Sequence, residues 1–153
     1  MKILVPVDGS PASLEAVRQA LRMVQGGLRA SLVLANVQEP ATLYEMLLAH
    51  DPEVIDKVSA EAGLHLLEPA RALVREAGVE HEIEVAAGDP AHTLIDVLEN
   101  FGCDMVVMGA RGLGTLRSAM HGSVSNELLH AAQVPVLIVK QPPPPEADAA
   151  VDE

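Results

Sequence analysis

Short, unbroken apolar runs alternate along this chain with segments whose apolar residues recur every three or four positions. That alternation leaves few folds open. Ile3-Leu4-Val5-Pro6-Val7, Ser31 to Val37, Asp104 to Met108 and Val134 to Val139 are too uniformly apolar to keep a wet face. Each is expected to be a strand buried on both sides. Helical grammar fills the gaps. Ser10 stands as an N-cap with Pro11 at the first helical position, followed by Leu14, Val17, Leu21 and Val24 on one face and a stop at Gly26-Gly27. After a longer connection over 38–50, with a helical turn near Leu43 to Leu48, Pro52 opens a helix that runs to about Ala77 and closes at Gly78. Gly88-Asp89-Pro90 opens another, to about Asn100, and a last one spans Ser123 to Ala132. Strand–helix alternation throughout predicts βαβ units with right-handed crossovers and a parallel sheet.

One run is different. His81-Glu82-Ile83-Glu84-Val85 alternates, with His81, Ile83 and Val85 on one face and the two glutamates on the other. A half-solvated strand belongs at a sheet edge. With the third strand outermost, the expected fold is α/β: a doubly wound, five-stranded parallel sheet in the order 3-2-1-4-5, with helices on both faces. Ligands of such sheets sit beyond the carboxyl ends of the strands, where the strand order reverses. Here that crevice lies between strands 1 and 4.

Composition narrows what the crevice can hold. The chain has 153 residues, suited to one domain, and 49% of them are apolar. It has no Trp, one Tyr and one Phe, and a formal net charge of −12. Too few aromatics for base stacking, together with a field that repels polyphosphate backbones, argue against nucleic acid as a partner. Any bound anion must be held by local geometry. Cys103 is the single cysteine, so no internal disulfide is expected, and it reads as a small buried apolar group. No run approaches the roughly eighteen apolar residues of a membrane span, and the N-terminal apolar run is too short for a signal peptide. A cytoplasmic protein is the expectation. Residues 141–153, Pro-rich and then acidic, lack periodicity and are expected to form a disordered tail behind a domain over 1–140.

Two phrases meet at the predicted crevice. Strand 1 ends at Asp8-Gly9-Ser10. Strand 4 runs into Gly109-Ala110-Arg111-Gly112, followed after nine residues by Gly122-Ser123. Close glycines and a Gly-Ser at a helix start are the parts of an anion cradle: a missing Cβ permits close approach, and helix N–H groups face the charge. No Gly-Lys-Ser/Thr follows, and the spacing does not fit Gly-x-Gly-x-x-Gly, so neither familiar nucleotide-loop signature is present.

Over residues 1 to about 140 the chain resembles the universal stress protein family. The resemblance rests on Ile3 to Ser10, on Asp104 to Gly109, on Val134 to Val139, and above all on Gly-x2-Gly-x9-Gly-Ser/Thr, met by Gly109, Gly112, Gly122 and Ser123. That spacing marks the ATP-binding branch of the family. The resemblance implies a Rossmann-like fold of the adenine nucleotide alpha hydrolase type. It also implies ATP as ligand, with Mg2+ or Mn2+ held mainly by the phosphates. Asp8 would contact the ribose or phosphates, and Val37 would read the adenine edge through its backbone, with Pro6 and Val7 lining the pocket. Gly109 and Gly112 would hold ribose and phosphate. Gly122, Ser123, Val124 and Ser125 would donate to the phosphates. The family commonly dimerises through strand 5, which implies a homodimer through Val134 to Val139.

Plainer roles stand beside these. Asp8 could simply cap the first helix. Arg111 is the nearest cation to the proposed phosphates and is read as a contact, with Arg117 and His121 as weaker candidates; solvent-facing side chains are the alternative for all three. His50, His65, His81, His92 and His130 sit on separate elements without metal-ligand spacing and read as surface residues, and the methionines as filler. No catalytic residue is evident: no lysine follows the last glycine, and no base stands ready to activate water. The reading is therefore a nucleotide-binding regulatory or stress-response protein, capable at most of slow ATP hydrolysis or self-phosphorylation. A scaffold of the same fold with a vestigial pocket is the alternative from another class. A phosphoacceptor receiver domain would need a second acid beside Asp8, and an adenylate-forming enzyme a Ser-Gly-Gly loop after strand 1; neither is present.

Overall fold

In the computed structural model, described over residues 1–40, 51–110 and 123–142, the apolar runs become β1 (Lys2–Pro6), β2 (Ser31–Gln38), β3 (His81–Ala87), β4 (Met105–Gly109) and β5 (Val136–Val139). Between them lie α1 (Pro11–Gln25), α2 (Pro52–Glu76), α3 (Pro90–Asn100) and α4 (Ser123–Ala131). The five strands form one parallel sheet in the order β3-β2-β1-β4-β5. The order inferred from the alternating third strand is the observed one.

The helix starts follow local chemistry. Ser10 caps α1 by accepting the Ser13 N–H at 3.2 Å, and Asp89 caps α3 through the His92 N–H at 3.1 Å. Asp51 caps α2 through the Glu53 N–H at 3.0 Å. Proline follows each cap, at a position whose missing N–H would have no helical partner.

Period-two side-chain alternation divides the core between the faces of the sheet. Ile3, Val5, Leu32, Leu34 and Val107 point to the face covered by α1 and α2, where they pack with Val17, Leu67, Ala70 and Val74. Leu4, Val33, Ala35, Val106 and Met108 point to the other, against Leu94, Val97 and Leu98 of α3 and Leu128 of α4. Cys103 lies in this second core, and burial pushes its thiol up to about 11. As expected, it is a buried apolar group rather than a reactive one.

Several boundaries shift by one or two residues from the sequence reading, and two of the shifts have a visible cause. β5 begins at Val136, not Val134: Pro135 has no N–H to give the ladder, although its carbonyl accepts the Val106 N–H at 2.9 Å. β3 continues past Val85 because Ala86 and Ala87 pair with Val37 and Gln38. The helical turn expected near 43–48 and most of the Pro-rich tail, from 143 onward, lie outside the described residues.

Candidate functional site

In a parallel sheet every strand delivers its C-terminal end to the same edge, and the following helix begins there. β1 and β4 are neighbours, with their crossover helices on opposite faces. The β1–β4 boundary is therefore the point where the strand order reverses, the place at which the sequence reading puts a crevice.

On the β1 side, Pro6 is the last strand residue and is half-buried. Val7 still pairs with β2, its N–H donating to the Ala35 carbonyl at 2.7 Å. Its side chain is 2% exposed and belongs to the core under α1 and α2, so Val7 faces the crevice with its backbone alone. Asp8 does not cap α1. Its Oδ1 accepts the Ser10 N–H at 2.8 Å, its own N–H donates to Ser13 Oγ at 3.3 Å, and Ser10 does the capping. These bonds fix the Asp8 carboxylate at the mouth of the crevice, beside the N-terminus of α1. Gly9 bridges them at φ +85, where a Cβ would also stand 2.7 Å from Leu66 Cδ2 of α2. The positive φ is what calls for glycine, since the end of the Leu66 side chain could move aside.

On the β4 side, Gly109 ends the strand. A Cβ built there would lie 2.6 Å from the Ala12 carbonyl oxygen and 2.7 Å from its carbon. The absent side chain is thus already used within the fold, letting α1's first turn press against β4. Ser123 is exposed at the start of α4, with Val124 and Ser125 half-buried behind it, and Val124 packs on the second core. Arg111, Gly112, Gly122, Arg117 and His121 lie outside the described residues.

Between these sides stands the end of β2. The parallel register dictates where its backbone groups point. Ser31 N–H donates to the Met1 carbonyl, so odd-numbered residues of β2 address β1; Leu32 N–H donates to the Glu80 carbonyl, so even-numbered residues address β3. Val37 is therefore directed at β1. Continued by one step, the ladder would join the Val37 N–H to the Val7 carbonyl. That carbonyl instead accepts from Asn36 Nδ2 at 2.8 Å, and no described residue hydrogen-bonds the Val37 N–H or C=O. A donor and an acceptor side by side, at the rim of the crevice, match the N1 acceptor and N6 donor of an adenine edge.

Asn36 was not singled out by sequence. Its only signal is a lone amide in the otherwise apolar phrase Leu34-Ala35-Asn36-Val37, and it is 2% exposed. Its Oδ1 accepts from Gln38 Nε2 at 2.7 Å, which fixes the amide's orientation. Elsewhere on the same edge, His92 Nδ1 meets Asp89 Oδ2 at 2.8 Å in solvent. Hydrogen bonding to His92 holds the Asp89 carboxyl below its ordinary value, and Asp89 in turn raises His92. His65 and His130 are exposed as expected, whereas His81 is half-buried with Nδ1 3.1 Å from the Val79 carbonyl oxygen. Among the described residues no three His, Cys, Asp or Glu side chains are grouped to hold a metal ion.

The profile of the Universal stress protein family matches residues 1–140. The chain belongs to the universal stress protein family. Universal stress protein YxiE of Bacillus subtilis is 34% identical over 146 residues, covering 91% of this chain and 98% of that one. A universal stress protein solved in complex with cAMP is 26% identical, with a TM-score of 0.63 and coverage of 91% and 95%. A family protein from Arabidopsis thaliana, solved with AMP bound, shares the fold at 24% identity and a TM-score of 0.67, covering 93% of this chain and 92% of that one. Like them, this universal stress protein is a five-stranded Rossmann-like domain. No helix among its described residues is long and apolar enough to cross a membrane.

Proposed function

We propose that this universal stress protein holds ATP at the C-terminal edge of β1, β2 and β4 and acts as a nucleotide-dependent regulator in the cytoplasm. The observation that carries the reading is the open Val37 backbone, a donor–acceptor pair left out of the sheet at the switch point. The complex of a related protein with cAMP, which carries the same adenine, supports the base assignment. On this reading Val37 takes the adenine edge and the Val7 backbone and Pro6 flank it. Asp8 meets the ribose or phosphates. Gly109 marks where the sugar passes, its backbone rather than its missing Cβ facing the ligand. The phosphates extend toward Ser123, Val124 and Ser125 at the α4 N-terminus, with Arg111, Gly112 and Gly122 completing the loop.

ATP supplies the phosphate chain whose charge, shared with Mg2+ or Mn2+, distinguishes the loaded state. The donor set fits a cation held mainly by the phosphates: among the described residues no three His, Cys, Asp or Glu side chains are grouped to hold one, so phosphate oxygens and water provide its ligands. The residues here bind and orient; none is assigned to activate water.

The test is twofold. The small molecule released on denaturing the purified protein should be an adenine nucleotide. ATP with Mg2+ at about one hundred times Kd should raise unfolding stability by about 2.7 kcal/mol, and Gly122→Val should abolish that gain while leaving the unliganded fold intact. Tight ATP binding by the variant would overturn the site, and no ATP stabilisation of the natural chain would favour the scaffold reading. Pairing of β5 across a two-fold axis is the accompanying proposal for assembly. β5 is the outer strand, and its Val136, Leu137 and Ile138 are only half-buried. A solution mass showing monomer alone at micromolar concentration would remove it.

A further inference from the structure

From the way the β1–β2 ladder ends, we infer that Asn36 is a positioning residue for base selection: its buried amide occupies the Val7 carbonyl and so keeps the Val37 backbone free to read the base. The inference rests on the nucleotide reading above and adds to it the residue that creates the base-reading edge.

Three observations converge. Register first: Pro6 pairs with Ala35, and the Val7 N–H reaches the Ala35 carbonyl, so the next bond in sequence would be Val37 N–H to Val7 C=O. The Asn36 amide stands in for that donor at 2.8 Å. A carbonyl already satisfied by a side chain gains little by drawing in the neighbouring strand, whereas an unsatisfied one would draw it strongly.

Second, the amide is held from behind. Gln38 Nε2 donates to Asn36 Oδ1 at 2.7 Å, which directs Nδ2 rather than Oδ1 at the carbonyl. Turned over, two oxygens would face each other.

Third, the fold makes room for it. A Cβ at Gly63 of α2 would stand 3.0 Å from Asn36 Oδ1 and 2.4 Å from Val85 Cγ1. α2 can lie flat on this amide only because residue 63 has no side chain. Hydrogen bonds at both ends offset the cost of burying this amide and hold it in one orientation.

The decisive measurement is amide hydrogen exchange in the unliganded protein, read beside nucleotide titration. In the natural chain the Val37 amide should exchange much faster than the ladder amides of Leu34 and Gly88, and adding ATP should slow it. In Asn36→Leu the Val7 carbonyl should capture the Val37 N–H. The Val37 amide then becomes protected without ligand, ATP binding weakens about tenfold, and preference for ATP over GTP falls. Inorganic tripolyphosphate, which has no base, should bind both chains alike. Gln38→Leu removes the donor that orients the amide, so it should lower the base preference in the same direction as Asn36→Leu but by less. Slow Val37 exchange in the unliganded natural chain overturns the inference, as does undiminished ATP-over-GTP preference in a folded Asn36→Leu. If the natural chain binds no adenine nucleotide while Val37 exchanges freely, the nucleotide reading fails and the ladder geometry stands.

Discussion

β2 is flanked by two parallel partners, and its two ladders end differently. Toward β3, pairing continues to the last residue, Gln38 opposite Ala87, and the Gly88 N–H closes it on the Gln38 carbonyl at 3.0 Å. Toward β1, pairing stops sooner, because the chain turns away at Asp8-Gly9 and the Asn36 side chain takes the final carbonyl. The same strand is thus structural on one flank and open on the other. Both flanks belong to one eight-residue strand, and what separates them is the Asn36 amide together with the neighbour's path. An open backbone edge arises where a ladder is ended early.

Removing the support common to both flanks should have the largest effect. Leu67 of α2 is fully buried in the core with Leu32 and Leu34 of β2. Leu67→Ala should cost about 2–5 kcal/mol in urea unfolding and loosen both ladders together. A loss well under 1 kcal/mol would mean that α2 is not seated as described.

Gly109→Ala probes the far wall of the crevice. Its methyl would meet the Ala12 backbone, which cannot rotate aside, so a cost of about 1–3 kcal/mol is expected even without nucleotide. If stability were unchanged and only ATP binding fell, the glycine would serve the ligand and not the helix contact.

Paired proline substitutions compare the flanks directly. Gln38 addresses β3, so Gln38→Pro deletes a ladder donor; Val37→Pro deletes an N–H that no described residue accepts. Gln38→Pro should be the less stable by about 1–3 kcal/mol, while Val37→Pro should lose ATP. Equal destabilisation would erase the distinction between the two flanks.

The smallest effect belongs to the rim beyond β3. The raised His92 contributes stability that is complete below about pH 6.5 and lost as pH rises through its elevated folded value. The lowered Asp89 contributes above about pH 3.9 and is lost as pH falls through its depressed value. Both contributions coexist in mildly acidic solution. An NMR titration should show the His92 imidazole shifting downward in Asp89→Asn, with little change in ATP affinity. A large affinity change would extend the site to this rim.

Much of this was legible in the residues. Alternation in His81 to Val85 fixed the edge strand and with it the strand order. Ser10, Asp89 and the prolines after them announced helix starts, because capping acts over three or four residues. Other features depend on contacts between distant segments. Val7 looked like a pocket residue, yet its side chain is core. Gly109 looked like space for a ligand, yet the space is taken by Ala12, nearly a hundred residues earlier. Asn36 carried no motif at all, since its meaning lies in a carbonyl on another strand.

By itself, then, the sequence determined the elements and their order in the sheet. Periodicity, capping and burial are local or nearly local properties, and each residue carries its share of them. Tertiary structure alone decided which backbone groups stay unpaired. Hydrogen bonding between strands depends on register and on where the neighbouring chain departs, and neither Val37 nor Asn36 encodes the turn at Asp8-Gly9 that leaves that edge open.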